Sequence, residues 1–273
     1  MGLGWTNAKV GRLSWTVGMS DAVVLLHPFP FDSRIWDEVA FWIEKSNWNV
    51  VTPDFRGCGL RTLGNEPPSL ELLARDVWDE LDEREIDQPL IIGISLGGYV
   101  AQEMLRQRPQ GVLALGLVDT KASADDETAK SNRERLALQM EHRGGLDNYA
   151  TNALTSMLGT VTHDERPDIV EHVREWIMQA RPESVAWLLR AMAARPDSFD
   201  VLRGFEGPSL LLRGSDDQVS SQEDFNRMQE VLPYAIYKEI PNVGHLPPIE
   251  APYDTGQAIL GWLAQIRPVC YFV

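Results

Sequence analysis

Residues 89–98 read Pro89-Leu90-Ile91-Ile92-Gly93-Ile94-Ser95-Leu96-Gly97-Gly98. The run from Leu90 to Ile94 is short, β-prone and apolar on both faces, which predicts a strand buried inside a sheet. Tyr99 to Arg106 continues as a helical pattern, so Ser95 falls on the turn between strand and helix. A serine at such a turn needs small neighbours. Its backbone is forced into a sparsely allowed conformation, and a Cβ at Gly93 or Gly97 would collide with the adjoining helix or strand. The spacing is that of a nucleophile elbow, with Ser95 exposed at the C-terminal edge of the sheet.

Outward from this segment, strands and helices alternate. Upstream, residues 3–10 and 12–17, joined at Gly11, read as two strands, and residues 22–27 as a third. A helix follows from Ser33, a plausible N-cap, with Ile35, Trp36, Val39, Ala40 and Ile43 at helical spacing. Residues 49–53 form another short strand, residues 70–81 a helix, and residues 112–118, downstream of the elbow, a strand. Between Asp119 and about Arg203 the rhythm breaks into four or five helices with no strand. Asp125 or Asp126 opens one of them, and Pro167 and Pro182 stand at first-turn positions. The alternation then resumes with strands at 209–213 and 235–240 and helices at 221–231 and 253–266. The simplest fold for this order is α/β, a doubly wound, mostly parallel eight-stranded sheet. Residues 1–120 and 204–273 would form the core domain, and residues 121–203 an inserted helical cap.

Composition narrows the function classes. The 273 residues are 44% hydrophobic and 24% charged, near the average for folded domains. A net charge of −15 would repel a phosphate backbone, and no Lys/Arg stripe is interleaved with aromatics, so nucleic acid is not an expected partner. No segment reaches the ~18 apolar residues of a membrane span, and the first twenty residues lack the uninterrupted apolar stretch of a signal peptide. Two cysteines, Cys58 and Cys270, are too few for a disulfide framework and lie outside metal-ligand spacing, so the expected compartment is a reducing cytoplasm.

A serine hydroxyl needs a base to take its proton. Of five histidines, His142, His163 and His172 lie among charged neighbours in the helical insertion, where surface positions are expected. His27 reads as a loop brace. His245 differs, because Asn242-Val243-Gly244-His245-Leu246-Pro247-Pro248 places it on a loop after the final strand. The third member should follow a strand between serine and histidine. The stretch Arg213-Gly214-Ser215-Asp216-Asp217-Gln218 offers two adjacent aspartates, one able to face the imidazole while the other is a solvated turn residue. Asp217, farther along the loop, is preferred over Asp216, and Asp119 at another strand end is a further alternative. The acid would hold the histidine tautomer and stabilise imidazolium. An oxyanion would need backbone N–H donors. Leu96, after the serine, is one, and Phe29 is the other, since its neighbours Pro28 and Pro30 carry no N–H.

Taken together, His27-Pro28-Phe29-Pro30, Asp54-Phe55-Arg56-Gly57-Cys58-Gly59, Gly93-Ile94-Ser95-Leu96-Gly97-Gly98, Gly214-Ser215-Asp216-Asp217 and Gly244-His245 resemble the α/β-hydrolase superfamily over nearly the whole chain. In that family's acid loop the aspartate stands three residues after the glycine, which selects Asp217. The compact helical cap and the His-Pro form of the oxyanion loop are similar to the bacterial 3-oxoadipate enol-lactonase and carboxylesterase group, although many relatives carry His-Gly in place of His27-Pro28. The resemblance implies a serine hydrolase of small esters or lactones, with no metal or organic cofactor. Ser95 excludes the mechanisms of haloalkane dehalogenases and epoxide hydrolases, which use an aspartate there. Carbon–carbon cleavage, acyl transfer and perhydrolysis are alternatives on the same triad, and a non-hydrolytic receptor is an alternative on the same fold. Selectivity would lie in the cap, where Trp176, Ile177, Met178, Trp187, Leu188, Leu189 and Met192 supply apolar faces, most of them for core packing. Apolar cap surface could also mediate a homodimer.

Overall fold

Short apolar runs become six strands, β1 (Ala22–Leu26), β2 (Asn49–Val51), β3 (Leu90–Ile94), β4 (Ala114–Val118), β5 (Ser209–Gly214) and β6 (Ile236–Ile240). The structure is a computed structural model that describes residues 22–140, 142 and 144–266. The two strands expected at residues 3–10 and 12–17 lie outside the described residues, so the sheet counts six strands there rather than eight. Every pairing is parallel, in the order β2-β1-β3-β4-β5-β6. β1, β3, β4 and β5 are buried along their whole length. That is why they carry continuous apolar runs, while β6, at the sheet edge, has exposed positions. The order reverses between β1 and β3, so a crevice is expected outside the carboxyl ends of these strands. The loop after β1 and the turn after β3 both open there.

Helices α1 (Asp37–Lys45), α2 (Leu70–Glu83) and α3 (Leu96–Gln107) connect the first strands, and α2 packs on α3. The first of them starts differently from expectation. A 3-10 turn at Ser33–Trp36 precedes α1, and Asp32, not Ser33, caps it by accepting the Arg34 N–H at 3.1 Å. Ser33 instead donates its N–H to Asp54 Oδ1 at 2.8 Å. The tighter turn moves the cap one residue back.

Between β4 and β5 lie α4 (Glu127–Met140), α5 (Gly145–Met157), α6 (Thr160–Glu165), α7 (Pro167–Gln179), α8 (Pro182–Ala193) and the short α9 (Phe199–Arg203), one more than the four or five expected. Asp126 accepts the Ala129 N–H at 2.7 Å at the start of α4. Asp125 turns inward and pairs with Arg195 at 2.7 Å and with Arg133. Pro167 and Pro182 sit at helix starts, where a missing N–H costs nothing. Of the apolar residues expected to face inward, Trp176, Ile177, Trp187, Leu188, Leu189 and Met192 are buried, whereas Met178 is 39% exposed, so it cannot line an interior pocket. The chain closes with α10 (Gln222–Val231), opened by a Ser221–Asp224 capping box, then α11 (Pro247–Glu250) and α12 (Pro252–Ile266), which packs on α1. None of the described helices is long and apolar enough to cross a membrane.

Candidate active site

Ser95 has φ 52° and ψ −115°, a conformation that costs a residue with a side chain of order 1–3 kcal/mol. The surroundings hold it there. Its N–H donates to the Val118 carbonyl at 3.0 Å, and its own carbonyl accepts the Thr120 hydroxyl at 2.9 Å. A Cβ on Gly93 would fall on the backbone of Gly97, one on Gly97 on the backbone of Leu26, and one on Gly98 on Thr120. The first turn of α3 therefore rests directly on β1 and β3, and the Leu96 N–H is among the helix-start donors without an intrahelical acceptor.

Across the crevice, His27 is fully buried and held at both ring nitrogens. Nδ1 is 3.0 Å from the Pro28 carbonyl, and Nε2 accepts the Phe55 N–H at 3.0 Å. Burial keeps the ring below its usual pKa, and Phe55 lies against it at 4.3 Å. A neutral imidazole in this setting braces the loop that carries Phe29. Phe29 is followed by a cis peptide to Pro30, and its ring meets Tyr149 of α5 edge-on at 5.7 Å.

The loops after β5 and β6 bring Asp217 and His245 together. Asp217 Oδ1 lies 3.0 Å from His245 Nδ1, and both side chains are buried. Asp217 also accepts the Val219 N–H at 2.8 Å, the Ser220 N–H at 3.2 Å and the Ser220 hydroxyl. Burial opposes its charge, yet the imidazole and these donors hold its carboxyl well below the ordinary aspartate range. Asp216 instead accepts the hydroxyl of Ser215. Asp217 engages His245 Nδ1, which fixes the orientation of the imidazole ring. Ser95, Asp217 and His245 thus follow three parallel strands and share one sheet edge. His163 is bonded through Nε2 to the Leu154 carbonyl at 3.0 Å, and His172 packs edge-on against Trp176, so both are occupied within the helices.

Two further groups, the Met157 carbonyl and Glu250, escaped the sequence. The His245 N–H donates to the Met157 carbonyl at the end of α5, at 2.7 Å. Glu250, buried in α11, accepts the Gly244 N–H at 3.0 Å and the Leu246 N–H at 3.3 Å on either side of the histidine. The same carboxylate accepts the Gly159 N–H at 2.8 Å and the Thr162 hydroxyl at 2.6 Å, tying the histidine loop to α6. The signal for Glu250 was a lone acid in the apolar run Pro247-Pro248-Ile249-Glu250-Ala251-Pro252. Asp119, the residue after β4, has φ 38° and is fully buried, its Oδ1 accepting the Gly214 N–H at 2.9 Å. It offers an oxygen within 4.8 Å of both Asp217 and His245, a spacing open to a metal ion, but Asp217 is turned to the imidazole and to three other donors, which hold it as a hydrogen-bond acceptor.

Comparison with known proteins identifies the family. Residues 23–255 match the alpha/beta hydrolase family. A thermophilic esterase from Thermogutta terrifontis, solved with malate bound, superposes with a TM-score of 0.86 at 32% identity, covering 90% of each chain. The 3-oxoadipate enol-lactonase 2 of Acinetobacter baylyi is 24% identical over 89% of this chain and 90% of its own length. A non-heme chloroperoxidase of Burkholderia pyrrocinia is 22% identical over 78% and 80%. A match spanning most of the sequence, on a parallel sheet with a strained serine at the end of β3, makes this chain a member of the alpha/beta hydrolase family and an enzyme.

Proposed function

We propose that the protein is a serine hydrolase of small-molecule esters or lactones. Ser95 Oγ attacks the substrate carbonyl while His245 Nε2 takes its proton, and the oxyanion is met by the N–H groups of Phe29 and Leu96. His245 then gives that proton to the leaving alcohol oxygen, so the C–O bond breaks and an acyl-Ser95 remains. Water attacks the acyl carbon, His245 receives the water proton and returns it to Ser95 Oγ, and the acid departs. Asp217 stays ionised throughout and fixes the Nδ1–H tautomer. Residues 121–203 act as the cap over this edge and set the size of the acyl group accepted. The observation that carries the reading is the buried 3.0 Å contact between Asp217 Oδ1 and His245 Nδ1, on the same sheet edge as the strained Ser95 turn.

The test is turnover of p-nitrophenyl esters of increasing chain length and of several lactones, by wild type and Ser95→Ala in parallel. Loss of the nucleophile should lower kcat by at least about 10⁴-fold, leaving only the contribution of binding and the oxyanion donors. Full turnover by the alanine variant on every accepted ester would end the proposal. The chloroperoxidase-named relative motivates a second reading, in which hydrogen peroxide replaces water as acyl acceptor and a peracid leaves; peracid formation from an ester and peroxide, dependent on Ser95, separates the two.

A further inference from the structure

We propose that Asp119 carries the proton shared by two facing carboxyl groups and donates it as a hydrogen bond to Asp217, so that Asp119 is a positioning residue acting through the acid of the site. The inference rests on reading Asp217 and His245 as acid and base. The carboxyl of Asp119 faces the acid and the base, with an oxygen within 4.8 Å of ligand atoms of both Asp217 and His245. None of the three side chains is open to water. Two carboxylates so placed in a dry site cannot both ionise.

The donors decide which one holds the proton. Asp217 receives the His245 imidazole, two backbone N–H groups and the Ser220 hydroxyl. Asp119 receives the single N–H of Gly214 on Oδ1, and its Oδ2 is buried with no hydrogen-bond donor to serve it as an ionised carboxylate. A proton on that oxygen turns it into a donor and satisfies it. Arg213 directs Nη1 to Glu239 at 3.0 Å and to the Ser215 carbonyl, and Nη2 to the Asp217 carbonyl, and makes no ion pair with Asp119. Burial and the negative charge of Asp217 both push the Asp119 carboxyl well above its ordinary range. The positive φ of 38° at Asp119 is uncommon for a residue with a side chain, and its N–H is anchored on the Leu212 carbonyl at 3.0 Å. Its side chain meets Gly214, the last residue of β5, from which the acid loop departs.

Asp119→Asn is the decisive variant, because its amide can still accept from Gly214 and donate to Asp217 at every pH; Asp119→Ala removes the donor. Infrared spectra of protein labelled with ¹³C-aspartate should show a protonated carboxyl stretch at neutral pH that Asp119→Asn lacks. In kcat/KM against pH for a p-nitrophenyl ester, or in the rate of fluorophosphonate labelling, Asp119→Asn should stay within about threefold of wild type, with the acid limb unmoved. Asp119→Ala should lose about 10–100-fold. Its acid limb should move to higher pH, since Asp217 without that donor binds the imidazolium more tightly. The proposal is overturned if wild type lacks the protonated band, if Asp119→Asn keeps it, or if the acid limb of Asp119→Asn moves to lower pH, the sign of a negative charge removed from beside His245. The spectrum needs no turnover, so an inactive wild type would count against the hydrolase reading alone. Should the alanine variant fail to fold, the asparagine variant still decides.

Discussion

The elbow and the helical excursion between β4 and β5 are held together by opposite means. At the elbow, backbone lies on backbone: Gly93 faces Gly97, Gly97 faces Leu26, and ten residues in succession of α3 are buried. In the excursion, long side chains do the joining. Arg133 and Arg195 converge on Asp125, Arg190 reaches Glu134 at 2.8 Å, Arg174 reaches Asp147, and α4 buries only Ala137 and Met140. Backbone contacts admit one spacing. Side-chain contacts can be remade with residues of other lengths, so geometry is fixed in the first region and sequence is free to vary in the second.

A Cβ at the elbow gives the hardest test of this contrast. Gly97→Ala would have to push α3 off β1, and we expect a loss of about 4 kcal/mol or more in denaturant unfolding, or no folded protein; a loss under about 1 kcal/mol would mean that the elbow tolerates other spacings too. The counterpart in the excursion is Arg195→Met, which takes one of two partners from a buried carboxylate. It should cost about 2–3 kcal/mol, below the usual figure for a broken buried pair because Arg133 remains. Its pH dependence has a definite sign. Burial works against the charge of Asp125, but Arg195 and Arg133 outweigh it and hold the carboxyl below the ordinary range. The stabilisation is therefore present above an unfolded pKa of about 4 and is lost as pH falls through the folded value, so wild type and variant should converge in acid. The mildest probe leaves the sequence alone. Amide exchange in α4 should be faster than in α3, and equal protection would show that one cooperative unit spans both regions.

What the sequence made legible was local. The strand, turn and helix around Ser95 are adjacent in the chain, and each leaves its own period. The ends of β5 and β6 were marked by Gly214 and Gly244, whose missing side chains let the two loops approach, since a Cβ on Gly214 would meet the Gly244 carbonyl. Where the reading slipped, the deciding contact was distant or finer than a period. Ser33 lost its cap to Asp32 because the helix opens with a tighter turn. Met178 shares its apolar character with Ile177 but faces outward, a matter of 100° about one helix axis. Asp216, Asp217 and Asp119 all suit a single role by their places in the sequence, and the fold sets Asp119 near Asp217; no spacing along the chain announces that 95 residues close on one N–H.

The carboxylate of Glu250 bears on how such proteins can be recombined. It joins the histidine loop to a residue 91 positions earlier, and the His245 amide itself hangs from the end of α5. The excursion is thus no detachable module. A chimera that imports another protein's helices here would carry off one anchorage of the imidazole, unless residues 157–162 travelled with the loop they grip; in the lineage, as at the bench, the two pieces are expected to be inherited as a unit.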